Sequence, residues 1–261
     1  MSARDPDRAT PGGGDVTDDG FLGGRLRILQ PRGGYRAGID PVLLAAAVPA
    51  RPGESVLDLG CGVGTAALCL GWRVAELALS GLELQPDYAA LARQNAARNG
   101  IAFGVHEGDL GQMPPALRRA FDHVIANPPY FAHQGGTPAR DAGRETALRE
   151  ATPIALWMAS AGRRLRPGGH LTLVQLAERL PDVLAALGPG FGSVVVLPVV
   201  PRADRPATRI LLRARKGGRG AFRLLSPLVL HEGPAHDGDR ESFRPEVSAV
   251  LRDGAALAAF G

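Results

Sequence analysis

The residue run best suited to chemistry in this 261-residue sequence is Asn127-Pro128-Pro129-Tyr130. Two successive prolines fix two φ angles and remove two amide donors, so the Pro128 carbonyl is held out rigidly instead of joining regular structure. The Asn127 carboxamide oxygen is a second acceptor beside it, and two adjacent acceptors suit the two hydrogens of one planar NH2 group. Tyr130 offers an aromatic face for a flat base, a contact worth ~1 to 3 kcal/mol in comparable sites. Phe131 stands ready to hold the other side of that base. The structural alternative for the run is a stiff exit from a strand.

Such a corner needs a scaffold, and the flanking pattern supplies one. Residues 1–18, rich in Gly, Pro, Asp and Arg and without periodicity, are expected to form a disordered leader. Residues 19–50 read as an N-terminal hairpin and helix. Leu26 and Ile28 alternate with Arg25 and Arg27, Pro31 to Gly34 makes the turn before Tyr35 and Arg36, and Asp40 caps a helix over Val42–Val48 that Pro49 ends. Residues 51–261 then alternate strand and helix. Strands are expected at Ser55–Leu59, Leu77–Leu84, Phe103–Val105, Phe121–Ala126, His170–Val174, Ser193–Val200 and Thr208–Arg213. Helices are expected at Thr65–Trp72, from Pro86 to Gly100, through Ile154 to Ala161, at Asp182–Leu187 and at Pro245–Ala259. The fold class is therefore α/β, a mostly parallel seven-stranded sheet with helices on both faces. Residues 221–261 have no chemistry that the sequence identifies.

Parallel sheets of this kind bind ligands at the carboxyl ends of their strands. After the first strand of the repeat comes Asp58-Leu59-Gly60-Cys61-Gly62-Val63-Gly64, whose glycines allow a tight turn and close approach of a ligand to the backbone. The spacing differs from the Gly-x-Gly-x-x-Gly fingerprint of nicotinamide and flavin sites. The stretch resembles motif I of the class I S-adenosylmethionine-dependent methyltransferases, whose fold is Rossmann-like. The resemblance implies that Glu83, followed by Leu84, accepts from the ribose hydroxyls of S-adenosyl-L-methionine. It implies too that in Gly108-Asp109-Leu110 the Asp109 side chain accepts from the adenine amine and the Leu110 amide donates to the ring. The implied cofactor set is Asp58, Gly60, Cys61, Gly62, Gly64, Glu83, Leu84, Asp109 and Leu110, with Asn127 at its reacting edge.

An exocyclic amine has its lone pair delocalised into the ring, and attack on a sulfonium methyl requires that pair to point along the S–CH3 axis. Fixed acceptors polarise the NH2 group and stabilise its developing positive charge, and in-line placement contributes much of the acceleration. The chemistry requires no metal. The corner resembles those of adenine-N6, cytosine-N4 and guanine-N2 methyltransferases, and of enzymes that methylate a glutamine amide of peptide release factors. The N-terminal segments narrow this choice. Asp19 to Arg25, Gln30-Pro31 and Gly34 to Leu44, followed by motif I and Asn127 to Phe131, resemble the bacterial family that modifies N6 of an anticodon-loop adenosine in a valine tRNA; the likeness spans Asp19 to Val174. About fifty residues precede motif I, too few for the separate helical domain usual in the glutamine-methylating enzymes. The expected function is methyl transfer to adenosine N6 in tRNA; the alternatives are a release-factor glutamine and an rRNA guanine N2.

Composition agrees with that direction. Hydrophobic residues make up 45% and charged residues 21%, which excludes collagen-like, wholly disordered and disulfide-scaffold chains. The net charge is +4, and because Met1–Gly20 holds five aspartates against two arginines, the remaining body carries +7, compatible with RNA as partner. Arg25, Arg27, Arg32 and Arg36, with Arg140, Arg144 and Arg149, are candidates for a phosphate-tracking rim, Arg36 foremost. Cys61 and Cys69 have neither CxxC spacing nor further partners, and the six histidines lack ligand spacing, so neither a disulfide framework nor a metal site is expected. With no signal-peptide pattern and no apolar run near the ~20 residues that span a bilayer, a cytoplasmic setting is expected.

Overall fold

The computed structural model describes residues 16–129, 152–233 and 242–260. It opens with an antiparallel hairpin of β1 (Val16–Phe21) and β2 (Leu26–Pro31). The hairpin turn is Leu22–Arg25, where Leu22, Gly23 and Gly24 take φ of 51°, 64° and 88°, and not Pro31–Gly34 as the sequence pattern suggests. Residues 16–18, expected in the leader, lie in β1. The reason is that β1 has no apolar alternation to read: only Val16 and Phe21 pack against the core, while between them Asp18 pairs with Arg27 at 3.1 Å and Arg98 at 2.8 Å, and Asp19 with Arg36 at 2.7 Å.

After the hairpin come α1 (Asp40–Ala47), β3 (Ser55–Leu59), α2 (Thr65–Arg73), β4 (Ala78–Glu83), α3 (Pro86–Arg98), β5 (Phe103–Glu107) and β6 (Phe121–Ala126). The remainder comprises α4 (Ile154–Arg164), β7 (Leu165–Leu176), α5 (Leu180–Ala186), β8 (Phe191–Val200), β9 (Arg209–Lys216), the two-residue strands β10 (Arg223–Leu224) and β11 (Leu228–Val229), and α6 (Pro245–Asp253). The main sheet has the order β10-β8-β9-β7-β6-β3-β4-β5, with β11 also on β8. Its seven long strands match the expected architecture. β3, β4, β5, β6 and β7 are mutually parallel, whereas β9 is antiparallel to both β7 and β8. The short link from Val200 to Arg209 explains the reversal, since a parallel crossover needs a dozen residues or more.

Two cores flank the sheet. One unites the hairpin, α1, α2, α3 and α6, and the other packs α4 and α5 on the opposite face. Every residue of α1 is buried, as a helix apolar all round must be. Asp40 is not its N-cap; Ile39 is, and Asp40 pairs with Arg209 at 2.6 Å from within the first turn. α6 stops at Asp253 instead of running to Ala259, because Gly254 takes φ +66°.

The outer edge of β2 is docked by side chains instead of a strand. The carboxamide of the fully buried Asn95 accepts from the Leu29 amide at 2.8 Å and donates to the Leu29 and Val63 carbonyls, both at 3.0 Å. One turn later Asn99 accepts from the Arg27 amide and donates to the Arg27 carbonyl, both at 2.9 Å. Two successive turns of α3 thus copy the donor and acceptor pattern of a neighbouring strand and cover an otherwise open edge.

Asn95→Ala should lower unfolding free energy by about 3 kcal/mol in urea titrations, since it strands three buried backbone groups. His170, which pairs across the sheet with His123 at the end opposite Asn127, has its pKa pushed down to about 4 by burial and by His123, Arg213 and Arg215, against a smaller opposing effect of Glu54. The unfolded chain therefore takes up this proton first as pH falls, and stability contributed by neutral His170 should decline between about pH 6.5 and pH 4. Urea midpoints measured across that window should flatten in His170→Gln.

Candidate functional site

The chain runs outward in one direction from β3 through β4 to β5, then returns to β3's other side as β6, so the sheet order reverses at β3. A crevice opens at the carboxyl end of a strand at such a reversal. Here it is a cleft of ≈ 960 Å³, counting space open to solvent, lined by the loops after β3, β4, β5 and β6 together with Tyr35, Ala37 and Trp157. Asp58, Gly60, Cys61, Gly62, Glu83, Leu84, Asp109, Leu110, Asn127 and Pro129, all singled out by the sequence, meet on its wall.

The loop after β3 needs its glycines. Gly60, Gly62 and Gly64 take φ of +62°, +56° and +89°, the left-handed region that disfavours side chains. A Cβ at Gly60 would lie 2.5 Å from the Trp157 ring, whereas Gly62 faces open space through which a ligand can reach the backbone. Gly64 precedes α2 and provides no side-chain cap; Asp58 supplies a carboxylate to the Ala67 amide instead. Glu83 joins this loop to the end of β4, with one oxygen accepting from the Gly62 amide at 2.8 Å and the other from the Gln85 amide at 3.0 Å. Burial, and then the neighbouring Glu83 charge, push the Asp58 carboxyl well above the usual range. The Cys61 thiol is likewise pushed well up, first by burial and then by Asp58 and Glu83, so Cys61 contributes backbone and packing and not a nucleophile.

Asp109 has one oxygen engaged with the Gly111 amide at 2.6 Å. Leu110 is buried beside it, and Leu84 is exposed at the mouth of the cleft, an apolar surface suited to a flat ring. Asn127 donates from Nδ2 to the Tyr35 phenol oxygen at 2.8 Å. The Pro128 carbonyl, expected to be held out of regular structure, accepts from the Gln175 side chain at 3.4 Å, which leaves it a second acceptor position. Tyr130 and Phe131 lie outside the described residues, as do Arg140, Arg144 and Arg149.

Arg36, expected at the substrate rim, has partners within the chain. Its guanidinium folds back onto the hairpin, donating to Thr17 at 2.8 Å and pairing with Asp19 at 2.7 Å. Arg27 pairs with Asp18, and Arg25 with Asp253 at 3.2 Å. These arginines help to hold the N-terminal extension in place, two of them through acids of β1 and Arg25 through Asp253 at the end of α6. Among the described residues no group of three or more His, Cys, Asp or Glu side chains is arranged for a metal ion, and no helix is long and apolar enough to cross a membrane.

Sequence reasoning gave no role in the site to Tyr35, Thr65, Trp157 or Gln175; Tyr35 and Thr65 stand in or beside stretches that it marked, whereas Trp157 and Gln175 have no such neighbour. The Asp58 Oδ2 and Thr65 Oγ1 atoms are buried and without a hydrogen-bond partner among the described residues, although both residues line the cleft. An acid and a hydroxyl suit the amino and carboxylate ends of an amino acid, Glu83 suits a diol, and Asp109 with Leu84 suits an aminated ring. The donor set fits S-adenosylmethionine.

Comparisons with known proteins place the chain among methyltransferases. Residues 37–197 match the model of the methyltransferase small domain family. The tRNA1(Val) (adenine(37)-N6)-methyltransferase of Yersinia enterocolitica is 30% identical over 240 residues, covering 90% of this chain and 91% of that protein. Its counterpart in Actinobacillus succinogenes is 35% identical over 204 residues, covering 76% and 84%. Among solved structures, a protein of Agrobacterium tumefaciens described as a predicted O-methyltransferase superposes with a TM-score of 0.66 at 26% identity, covering 84% of this chain and 98% of that one. The Thermus thermophilus 16S rRNA N2 G1207 methyltransferase, in complex with AdoMet and guanosine, has a TM-score of 0.54 at 23% identity, over 77% and 50% of the chains, and shares the fold.

Glu83→Ala should weaken S-adenosylmethionine binding at least about tenfold in calorimetry, through loss of the diol acceptor and release of the Gly62 and Gln85 amides. Unchanged affinity would reject the role given to Glu83.

Proposed function

This chain belongs to the methyltransferase small domain family, and from that premise we propose that it methylates N6 of an adenosine in tRNA, using the corner at Asn127 to hold the amine. It is an S-adenosylmethionine-dependent methyltransferase. The observation that carries the substrate reading is the shared wall: Asn127 and Pro129 line the same cleft as Gly60, Glu83 and Asp109. The relatives that match most of the chain are tRNA1(Val) (adenine(37)-N6)-methyltransferases, which favours tRNA adenosine over a release-factor glutamine or an rRNA guanine.

When bound, the cofactor supplies an electrophilic methyl group on sulfur. Glu83, Asp109 and Leu110 hold its nucleoside portion, and Asp58 and Thr65 are the polar groups nearest in kind to its amino-acid portion. Asn127 Oδ1 and the Pro128 carbonyl accept the two N–H bonds of the target, turning its lone pair out of the ring's conjugation and stabilising the positive charge that develops on nitrogen. A hydroxyl nucleophile has one hydrogen for two acceptors, so the pair favours an amine over an alcohol. Tyr130 and Phe131 are proposed to sandwich the base. The leaving proton passes from the methylated nitrogen to one of the two acceptors or to solvent, with no base of special pKa required.

Asn127→Ala should reduce turnover by two to three orders of magnitude, about the loss that follows removal of one preorganised polar contact to a transition state, while cofactor affinity stays within about twofold. Radiolabel transfer with tRNA, rRNA and release factor in parallel identifies the acceptor: label on tRNA alone is expected. Mass spectrometry of tRNA nucleosides from a deletion strain should show loss of one N6-methylated adenosine, and an unaltered nucleoside profile would reject the substrate.

A further inference from the structure

Tyr35 belongs to the loop between β2 and α1, far along the chain from the Asn127 corner. The Tyr88 phenol donates to its carbonyl at 3.2 Å and so pins this loop to α3. The Tyr35 side chain lines the cleft with Asn127 and Pro129, and its phenol oxygen accepts from Asn127 Nδ2 at 2.8 Å. Its relative exposure of 36% leaves the ring open to whatever enters that cleft.

A carboxamide has two orientations of nearly the same shape and opposite hydrogen-bonding sense. One offers an oxygen acceptor to the incoming NH2 group; the other sets N–H against N–H. A phenol oxygen that takes Nδ2 leaves Oδ1 as the atom offered to the amine. It also restrains the rotation of the carboxamide about its broad terminal torsion, which the prolines cannot reach. We propose that Tyr35 is a positioning residue of the methyl transfer, holding the Asn127 carboxamide so that Oδ1 faces the target amine beside the Pro128 carbonyl. The role rests on the amine-holding function given to Asn127 above. It makes the N-terminal extension part of the reacting corner and not only a wall of the cofactor cleft.

Tyr35→Phe keeps the ring and removes only the oxygen. It should lower kcat with tRNA about tenfold or more, in keeping with the sensitivity of transfer to small misplacements. KM for tRNA, affinity for the cofactor and melting temperature should stay near their wild-type values, a split that loss of structure would not produce. In an Asn127→Asp background, where both side-chain atoms are oxygens and orientation is immaterial, the same change should cost less than about twofold. An independent readout needs no substrate: the Asn127 side-chain amide, assigned by its absence in Asn127→Asp, should exchange with solvent at least about tenfold faster in Tyr35→Phe. A kcat within twofold of wild type, an equal loss in both backgrounds, or unchanged amide exchange would overturn the assignment. If the wild-type enzyme methylates no tRNA, the substrate reading fails by itself, and the amide-exchange comparison still decides the contact with Tyr35.

Discussion

The bridging carboxylate of Glu83 is the contact on which the cleft depends. Its two oxygens reach the Gly62 and Gln85 amides and so tie the turn after β3 to the end of β4. Left-handed glycines make that turn possible, but they are also the residues with the most conformational freedom to lose on folding. A carboxylate acceptor shared by two partly buried amides helps to offset this loss. The arrangement has a cost, because it sets a second carboxyl, Asp58, close by in dry surroundings. Burial and the Glu83 charge together favour its neutral form. A positively charged ligand group nearby would shift that balance back toward the charged form.

A second constraint acts through the N-terminal extension. α3 presents Asn95 and Asn99 to β2 as if it were a strand, and the arginines of the hairpin close on its own acids. Docking the hairpin in this way delivers the following loop to the cleft. Three arginines that composition alone suggested for RNA are thereby engaged with Asp18, Asp19 and Asp253. Exposed pairs of this kind contribute little stability singly. Their effect is on register, by matching a polar strand that would otherwise have no reason to pair where it does.

The reacting corner shows how the two constraints meet. Asn127 follows β6, whose neighbours are β3 and β7, so the strand order alone brings it beside the glycine turn. Its fine placement comes from either flank: Tyr35 on the carboxamide, and Gln175, near the end of β7, on the Pro128 carbonyl. Rigid prolines supply the backbone shape and long-range side chains supply the orientation.

The parallel sheet, the helices between its strands, the glycine turn and the proline corner were all readable along the chain. Each depends on properties carried by a residue or its near neighbours: apolar period, glycine's access to positive φ, proline's missing N–H. Glu83 and Asp109 were singled out by the family resemblance, and they meet because strand ends converge in any sheet of this topology. β1 was not, because its pairing rests on charges whose partners lie as far off as Arg98. Asp40 looked like a cap until Arg209 was found beside it, and nothing next to Arg36 along the chain showed that it pairs with Asp19. Trp157 and Gln175 left no local trace, and Tyr35 stood in a resembling stretch with nothing to mark its own part. What residue type and spacing determine is which shapes and hydrogen bonds a segment is able to make; which of them it does make is a matter of approach through space between segments tens of residues apart, and only the folded chain sets those distances.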